Sequence, residues 1–353
     1  MNTRGHGGDI YTYQMNNTEK IIDFSANINP LGICESVKEA LHESVNMIHN
    51  YPDPYQRKLK QAIAEYENVP KEWIVCGNGA ADIIFRLVYA RKPKKSLLLA
   101  PTFSEYEEAL KSMECEIIYY KLEEEKEFQL QKDIVQMIDD TLDIVWICNP
   151  NNPTGKTSSN EILQLILDEC EKKDVLLVID ECFNDFLDNP DKYSFKDKLD
   201  SANLFILKAF TKMYAIPGVR LGYGLSNQNI INQIEQTGQT WSVSGIAQHI
   251  GCTVVKERDY VQKTRSIIKK ERIYLEQELT RIGMKVYKSE ANYILFKSPY
   301  SVDLLEKLQS YNILIRSCKN YKELDETYYR VAIKTNEENN KLVDALKEIC
   351  LKK

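Results

Sequence analysis

An asparagine, an aspartate, a lysine and an arginine fall at the ends of apolar runs in the middle of this sequence, in an order that suggests one chemistry. Asn149-Pro150-Asn151-Asn152-Pro153-Thr154-Gly155 closes one run, Asp180 the next and Thr211-Lys212 a third. Arg220 follows eight residues after Lys212, beyond the loop Ala215-Ile216-Pro217-Gly218. These are the groups that a pyridoxal phosphate site requires. The lysine forms a Schiff base with the aldehyde. The aspartate keeps the pyridine nitrogen protonated, so that the ring can accept electrons from a developing carbanion. The asparagine bonds the phenolic oxygen. The arginine, Thr211 and the backbone N–H groups after Gly79, at a predicted helix N-terminus, would hold the phosphate.

Two nucleotide motifs fail. Gly155-Lys156-Thr157 resembles the end of a P-loop, but the glycine required five positions earlier is Pro150. Gly77-Asn78-Gly79 lacks the third glycine of a dinucleotide fingerprint, since that position is Asp82. Glycine is scarce, with 14 in 353 residues, and eight of them fall in four short clusters: Gly7-Gly8, Gly77/Gly79, Gly155, and Gly218/Gly222/Gly224. A chain this sparing with glycine keeps it where the backbone needs unusual angles or close approach to a ligand.

The elements that must position these residues are legible around them. Residues 96–101 (SLLLAP), 143–150 (DIVWICNP), 174–181 (DVLLVIDE) and 203–210 (NLFILKAF) are continuous apolar runs, as expected of strands buried on both faces of a parallel sheet. Residues 160–172 between them carry helical spacing at Ile162, Leu163, Leu165, Ile166 and Cys170. Alternating strands and helices imply an α/β sheet with right-handed crossovers, and in such sheets ligands bind at the C-terminal ends of the strands. After about residue 245 the pattern predicts one long helix over 253–282, strands over 292–297 and 328–334, and a closing helix from Glu337. The expected division is an N-terminal arm over 1–45 packing with the small domain, a large cofactor-binding α/β domain over 46–245, and a linker helix with a small C-terminal α+β domain over 246–353.

Composition sets the outer limits. With 46 basic and 52 acidic residues the net charge is −6, which argues against general affinity for nucleic acid or anionic lipid. No apolar run approaches the ~18 residues of a membrane span, and the N-terminus lacks the apolar stretch of a signal peptide. Nine cysteines without a C-x-x-C pair read as reduced thiols of a cytoplasmic protein, not as a disulfide frame or a metal site.

The order G-N-G, P-T-F, N-P-N-N-P-T-G, D-E-x-F, T-K-x-x-x-x-x-G-x-R resembles fold-type I pyridoxal phosphate enzymes of the aminotransferase class. His6-Gly7-Gly8, the segment 24–32 (FSANINPLG), Ile315-Arg316-Ser317-Cys318 and residues 328–333 (YYRVAI) resemble, within that class, the L-threonine-O-3-phosphate decarboxylases, near relatives of the histidinol-phosphate aminotransferases. The resemblance spans residues 6 to about 345. It implies the fold-type I architecture, a large domain with a mostly parallel sheet plus a smaller α+β domain. It also implies decarboxylation of O-phospho-L-threonine, or a close phosphoamino acid such as O-phospho-L-serine, to (R)-1-amino-2-propanol O-2-phosphate for cobalamin biosynthesis. The alternative it leaves open is a 2-oxoglutarate-dependent histidinol-phosphate aminotransferase.

Residue by residue, the resemblance makes Lys212 the Schiff-base lysine, with Lys208 a decoy four positions earlier that lacks an arginine eight residues on. Asp180 matches the partner of the pyridine nitrogen, Asn152 that of the phenolic oxygen, and Phe103 the aromatic ring stacked on the cofactor. Ala80 and Ala81 would give backbone N–H groups to the phosphate, beside Thr211 and Arg220. Tyr51 matches a tyrosine reaching the phosphate of the neighbouring subunit, which implies a homodimer with shared sites. Arg330 matches the residue that binds the substrate carboxylate, Arg316 and His6 match groups near the substrate phosphate, and Gly32 and Asn152 join them on the substrate side. Three departures stand out. Phe183 replaces a tyrosine, Ala209 a phosphate-binding serine or threonine, and Ser244 an asparagine.

Overall fold

The computed structural model describes residues 7–15 and 19–351. Along the chain its strands are β1 Ile22–Asp23, β2 Ile74–Gly77, β3 Lys95–Ala100, β4 Glu116–Lys121, β5 Ile144–Cys148, β6 Leu176–Asp180, β7 Leu204–Ala209, β8 Gly222–Ser226, β9 Lys285–Tyr287, β10 Tyr293–Lys297, β11 Ile313–Leu314, β12 Arg316–Ser317 and β13 Tyr328–Ala332. Seven of them form one sheet in the order β2-β8-β7-β6-β5-β3-β4. β3 to β7 run parallel, while β8 lies antiparallel between β2 and β7. β5, β6 and β7 are buried along their whole length. Alternate side chains of β6 enter two separate cores, Leu177 and Ile179 on one face, Leu176 and Val178 on the other. A strand covered on both faces needs apolar residues at every position, which is why these runs do not alternate.

Register lines up one edge of the sheet. Cys148 pairs with Asp180, Asp180 with Leu207, Ala209 with Gly222 and Gly222 with Gly77. The segments following β2, β5, β6 and β7 therefore all leave from the same side. They carry Gly79, Asn152, the Asp180 turn and Lys212.

The smaller sheet, β12-β13-β10-β9, is antiparallel and is reached through the 24-residue helix Arg258–Arg281. The single helix expected over 253–282 is two helices, Gly245–Val254 and Arg258–Arg281, separated by a turn in which Arg258 N–H bonds Lys256 O at 2.9 Å. Each piece has its own partners. The first packs on helices Glu35–Ser44 and Arg57–Glu67, the second on the closing helix Asn336–Leu351 and strands β9 and β10. The strand expected over 328–334 ends at Ala332.

The segment 22–30 runs between the two sheets. β1 pairs in parallel with β11, Phe24 O accepts Ala332 N–H at 2.8 Å, and Asn29 N–H donates to Lys212 O at 3.1 Å. Asn29 Nδ2 also donates to Met213 O and to Thr264 Oγ1, each at 2.7 Å. Among the described residues no helix is long and apolar enough to cross a membrane.

Candidate active site

One end of the strand edge gathers groups that suit an anion. The helix Ala80–Arg91 starts after Gly79 (φ 84°), and no side chain caps it. The first-turn N–H groups of Ala80 and Ala81 are thus left to an external acceptor at the positive end of the helix dipole. A Cβ on Gly79 would come within 2.5 Å of Arg220 Nη2, so the guanidinium lies directly against this turn. A Cβ on Gly222 would stand 2.5 Å from Ala80 N, so β8 reaches the helix start only because it is glycine there. Thr211 is buried beside them, its hydroxyl 3.5 Å from Leu221 O.

Asp180 closes β6 and is buried. Its Oδ1 accepts Cys182 N–H at 2.8 Å and its Oδ2 accepts the Tyr106 hydroxyl at 2.5 Å. Burial pushes the thiols of Cys148 and Cys182 up, the Asp180 charge adds to this, and the Lys212 ammonium opposes it. Lys212 is half-buried, with its Nζ 5.6 Å from the centre of the Phe183 ring, and that Nζ makes no hydrogen bond or ion pair among the described residues. Lys208 has the opposite fate. Its Nζ is buried 2.7 Å from Glu67 Oε1.

Asn152 connects this centre to the small sheet. Its Oδ1 accepts from Arg330 Nη1 and, at 3.3 Å, from the Tyr321 hydroxyl, leaving Nδ2 as its remaining donor. Arg330 Nη2 donates to Ser25 O at 2.7 Å, and its Nε is a buried donor without a partner among the described residues. Buried polar groups are paired in folded proteins, so an orphaned guanidinium N–H beside Asn152 marks a place for an anionic ligand. Arg316 Nη1 bonds Ser317 O and its Nη2 bonds Asn320 Oδ1, each at 2.6 Å, with its guanidinium carbon 5.3 Å from the Tyr321 ring centre.

Phe103 precedes the helix Ser104–Lys111 and meets Tyr106 edge-on at 5.6 Å. Gly32 adopts φ 72°, and its carbonyl accepts the Tyr260 hydroxyl at 2.6 Å. Tyr51 stands apart from these groups. It is 81% exposed and stacks on Trp241 at 4.7 Å. His6 lies outside the described residues; Gly8 N–H donates to Ser25 Oγ at 2.7 Å. At the three departures, Phe183 packs edge-on against Tyr293 at 5.0 Å, Ala209 is buried, and Ser244 caps the helix Gly245–Val254 by accepting Ala247 N–H at 3.1 Å.

Motif reasoning does not single out Tyr106, Tyr321, Ser25 or Asn29. A signal for Tyr106 does exist, since it lies three residues after Phe103, a spacing that brings two side chains to one side of a helical turn. Tyr321 follows β12 in an irregular segment, where no periodicity marks it.

The residues present fit pyridoxal phosphate. The uncapped helix start with Arg220 suits its phosphate, Asp180 its ring nitrogen, Asn152 Nδ2 its phenolic oxygen and the Lys212 amine, over the Phe183 ring, its aldehyde.

Comparison with known proteins agrees. A model of the family "Aminotransferase class I and II" matches residues 19–346. The chain is 36% identical over 351 residues to a threonine-phosphate decarboxylase of Salmonella typhimurium, covering 98% of this chain and 96% of that one. It is 32% identical over 362 residues to the adenosylcobalamin biosynthesis bifunctional protein CobDQ of Leptospira interrogans, covering 99% of this chain and 41% of that longer protein. The structure of a histidinol-phosphate aminotransferase from Clostridium acetobutylicum superposes with a TM-score of 0.87 at 32% identity, over 92% of this chain and 98% of that one.

Proposed function

The chain belongs to the class I and II aminotransferase family, and from that premise we propose that it is a pyridoxal phosphate-dependent decarboxylase of O-phospho-L-threonine, acting in cobalamin biosynthesis. The similarity to the Salmonella decarboxylase over nearly the whole of both chains supports the reaction, and the similarity to CobDQ supports the pathway. The observation that carries the substrate is the pair Arg330 and Arg316 around Tyr321, next to Asn152. Two guanidinium groups at one place suit a ligand with a carboxylate at one end and a phosphate at the other.

Bound pyridoxal phosphate supplies an electron sink for the pair released when a bond to Cα breaks. Which bond breaks is decided by the chain. Only a bond perpendicular to the ring plane overlaps its π system, so the residue holding the carboxylate selects the reaction. Arg330, fixed by Ser25 O and Asn152 Oδ1 and with Nε unpartnered among the described residues, would hold the carboxylate and so orient the bond to Cα that breaks. With the cofactor bound, Lys212 Nζ would hold its aldehyde and would be the group placed to give a proton to Cα. Asp180 pairs with the ring nitrogen and Phe103 stacks on the ring. Ala80, Ala81, Thr211 and Arg220 would hold the cofactor phosphate and Arg316, with Gly32, the substrate phosphate; His6, proposed for the same role, lies outside the described residues.

The same reading makes the protein a cytoplasmic homodimer with shared sites. Leu41, Val45, Ile48, Tyr51, Tyr55 and Trp241 are exposed, and apolar side chains in such number suit a surface covered by a second copy. Its nine cysteines are unpaired, in keeping with a reducing compartment.

The deciding experiment supplies O-phospho-L-threonine without a keto acid and measures carbon dioxide and the phosphorylated amine. In parallel, histidinol phosphate and 2-oxoglutarate are supplied and glutamate is measured. A decarboxylase turns over without an acceptor, whereas an aminotransferase stops after one cycle. Sustained carbon dioxide release with little glutamate is expected. Glutamate from histidinol phosphate with no carbon dioxide from phosphothreonine overturns the reading.

A further inference from the structure

We propose that Tyr106 is a positioning residue, holding the Asp180 carboxylate in the one orientation in which it can pair with the cofactor's ring nitrogen; this rests on the pyridoxal phosphate reading above. Tyr106 is fully buried, and its hydroxyl lies 2.5 Å from Asp180 Oδ2. Its ring is clamped, stacked on Trp146 at 5.0 Å and edge-on to Phe103 at 5.6 Å. The phenol has no freedom to follow a rotating carboxylate. Asp180 Oδ1 meanwhile accepts the Cys182 backbone N–H at 2.8 Å, so both oxygens are tied by the chain itself.

The direction of donation is settled by electrostatics. Burial and the neighbouring Asp180 charge push the Tyr106 phenol well above its ordinary pKa, so it stays protonated and donates. A carboxylate that already accepts two hydrogen bonds keeps lone pairs on each oxygen for a third. Fixing its torsion aims those lone pairs at the strand edge, where Lys212 and Asn152 also lie. Phe103 and Tyr106 would then form one unit, the first ring touching the cofactor and the second steadying the acid beneath it.

The test uses Tyr106→Phe in the holoenzyme, loaded with pyridoxal phosphate labelled with 15N at the ring nitrogen. The substitution keeps the stacked ring and removes only the hydroxyl. The 15N signal is expected to move from the protonated towards the unprotonated position. In the same protein kcat should fall about tenfold with KM unchanged, as for loss of one charge-assisted hydrogen bond. If Y106F is too unstable to purify, 3,5-difluorotyrosine at this position keeps the shape and strengthens the donor, and it must also shift the 15N signal. Borohydride reduction and peptide mapping of the wild-type protein separate the two claims. A label on Lys212 with an unmoved 15N signal in the variant overturns the role of Tyr106 alone. No label on Lys212 overturns the cofactor reading, and the proposal with it.

Discussion

Arg316 stands directly opposite Arg330 where β12 pairs with β13. Like charges at opposed positions destabilise a sheet, and burial lowers the Arg316 pKa, with the charge of Arg330 adding to it. Tyr321 partly offsets this, its ring 5.3 Å from the Arg316 guanidinium carbon and its hydroxyl 3.4 Å from Arg330 Nη1. A ligand with two anionic groups would relieve the repulsion on binding. Arg316→Ala should therefore raise KM for a phosphorylated substrate by roughly ten- to a hundredfold, the worth of a charge-assisted hydrogen bond, with kcat little changed. Arg330→Ala should lower kcat as well, because it orients the bond that breaks. Initial rates over a substrate series check both, and an R316A enzyme with wild-type KM refutes the assignment.

Lys212 and Lys208 make contrasting predictions. Burial opposes the charge on Lys208, but Glu67, Asp185 and Glu181 outweigh it and keep the ammonium protonated. The Lys208 amine is locked in that buried ion pair with Glu67, whereas Lys212 stands at the strand edge with Asp180 and Asn152, so borohydride should fix pyridoxal phosphate to Lys212 and never to Lys208. Lys208→Met leaves buried Glu67 with only the Tyr223 hydroxyl and the Lys196 ammonium at 3.6 Å, which costs up to about 3 kcal/mol of stability. Denaturant melts should show that loss while the peptide map of the folded protein still places the label on Lys212. A label on Lys208 would reverse the assignment.

The central strands are legible in the sequence because β5, β6 and β7 must be apolar at every position, and the residues at their ends are polar types that a buried strand does not use. β8 is not. Gly222 and Gly224 give it no strand signal, yet a Cβ at 222 would strike Ala80 N and one at 224 would strike Phe205. Its composition answers to close approach, not to strand propensity. The turn at 255–257 is hidden because the apolar spacing continues through it. Tyr321 owes its place to tertiary contacts with Asn152 and Arg330, which no local pattern records, while the contact of Tyr106 with Asp180 is signalled only by its spacing from Phe103.

Glu181, next to Asp180, predicts a pH effect on stability. Burial raises its carboxyl to about 7, against the pull of Lys208 and of hydrogen bonds from Phe195 N–H and the Ser194 hydroxyl. A carboxyl whose folded pKa is raised contributes full stability below its unfolded value. That contribution is lost as pH rises from about 4.5 to about 7. The loss is on the order of 3 kcal/mol. Glu181→Gln should remove it, so the drop in unfolding free energy between pH 5 and pH 8 should shrink by about that amount. Parallel profiles for the two proteins would show that Glu181 does not titrate in this range.

Tyr51 tests whether the site is shared. It is 81% exposed and held by Trp241, itself on the exposed apolar surface, and it does not meet the groups around Lys212 within one chain. If it serves the neighbouring subunit, two inactive variants should complement each other. One carries Lys212→Ala with an intact Tyr51, the other Tyr51→Ala with an intact Lys212. In a mixed dimer the second chain's Lys212 faces the first chain's Tyr51, and one complete site forms. Random reassortment should then restore roughly a quarter of the sites. If Tyr51 instead serves its own chain, every site in the mixture lacks one of the two residues and activity stays at the level of the separate variants. Denaturing and refolding the mixture together, then assaying carbon dioxide release, distinguishes the outcomes: recovery requires both a dimer and a tyrosine that crosses between its subunits.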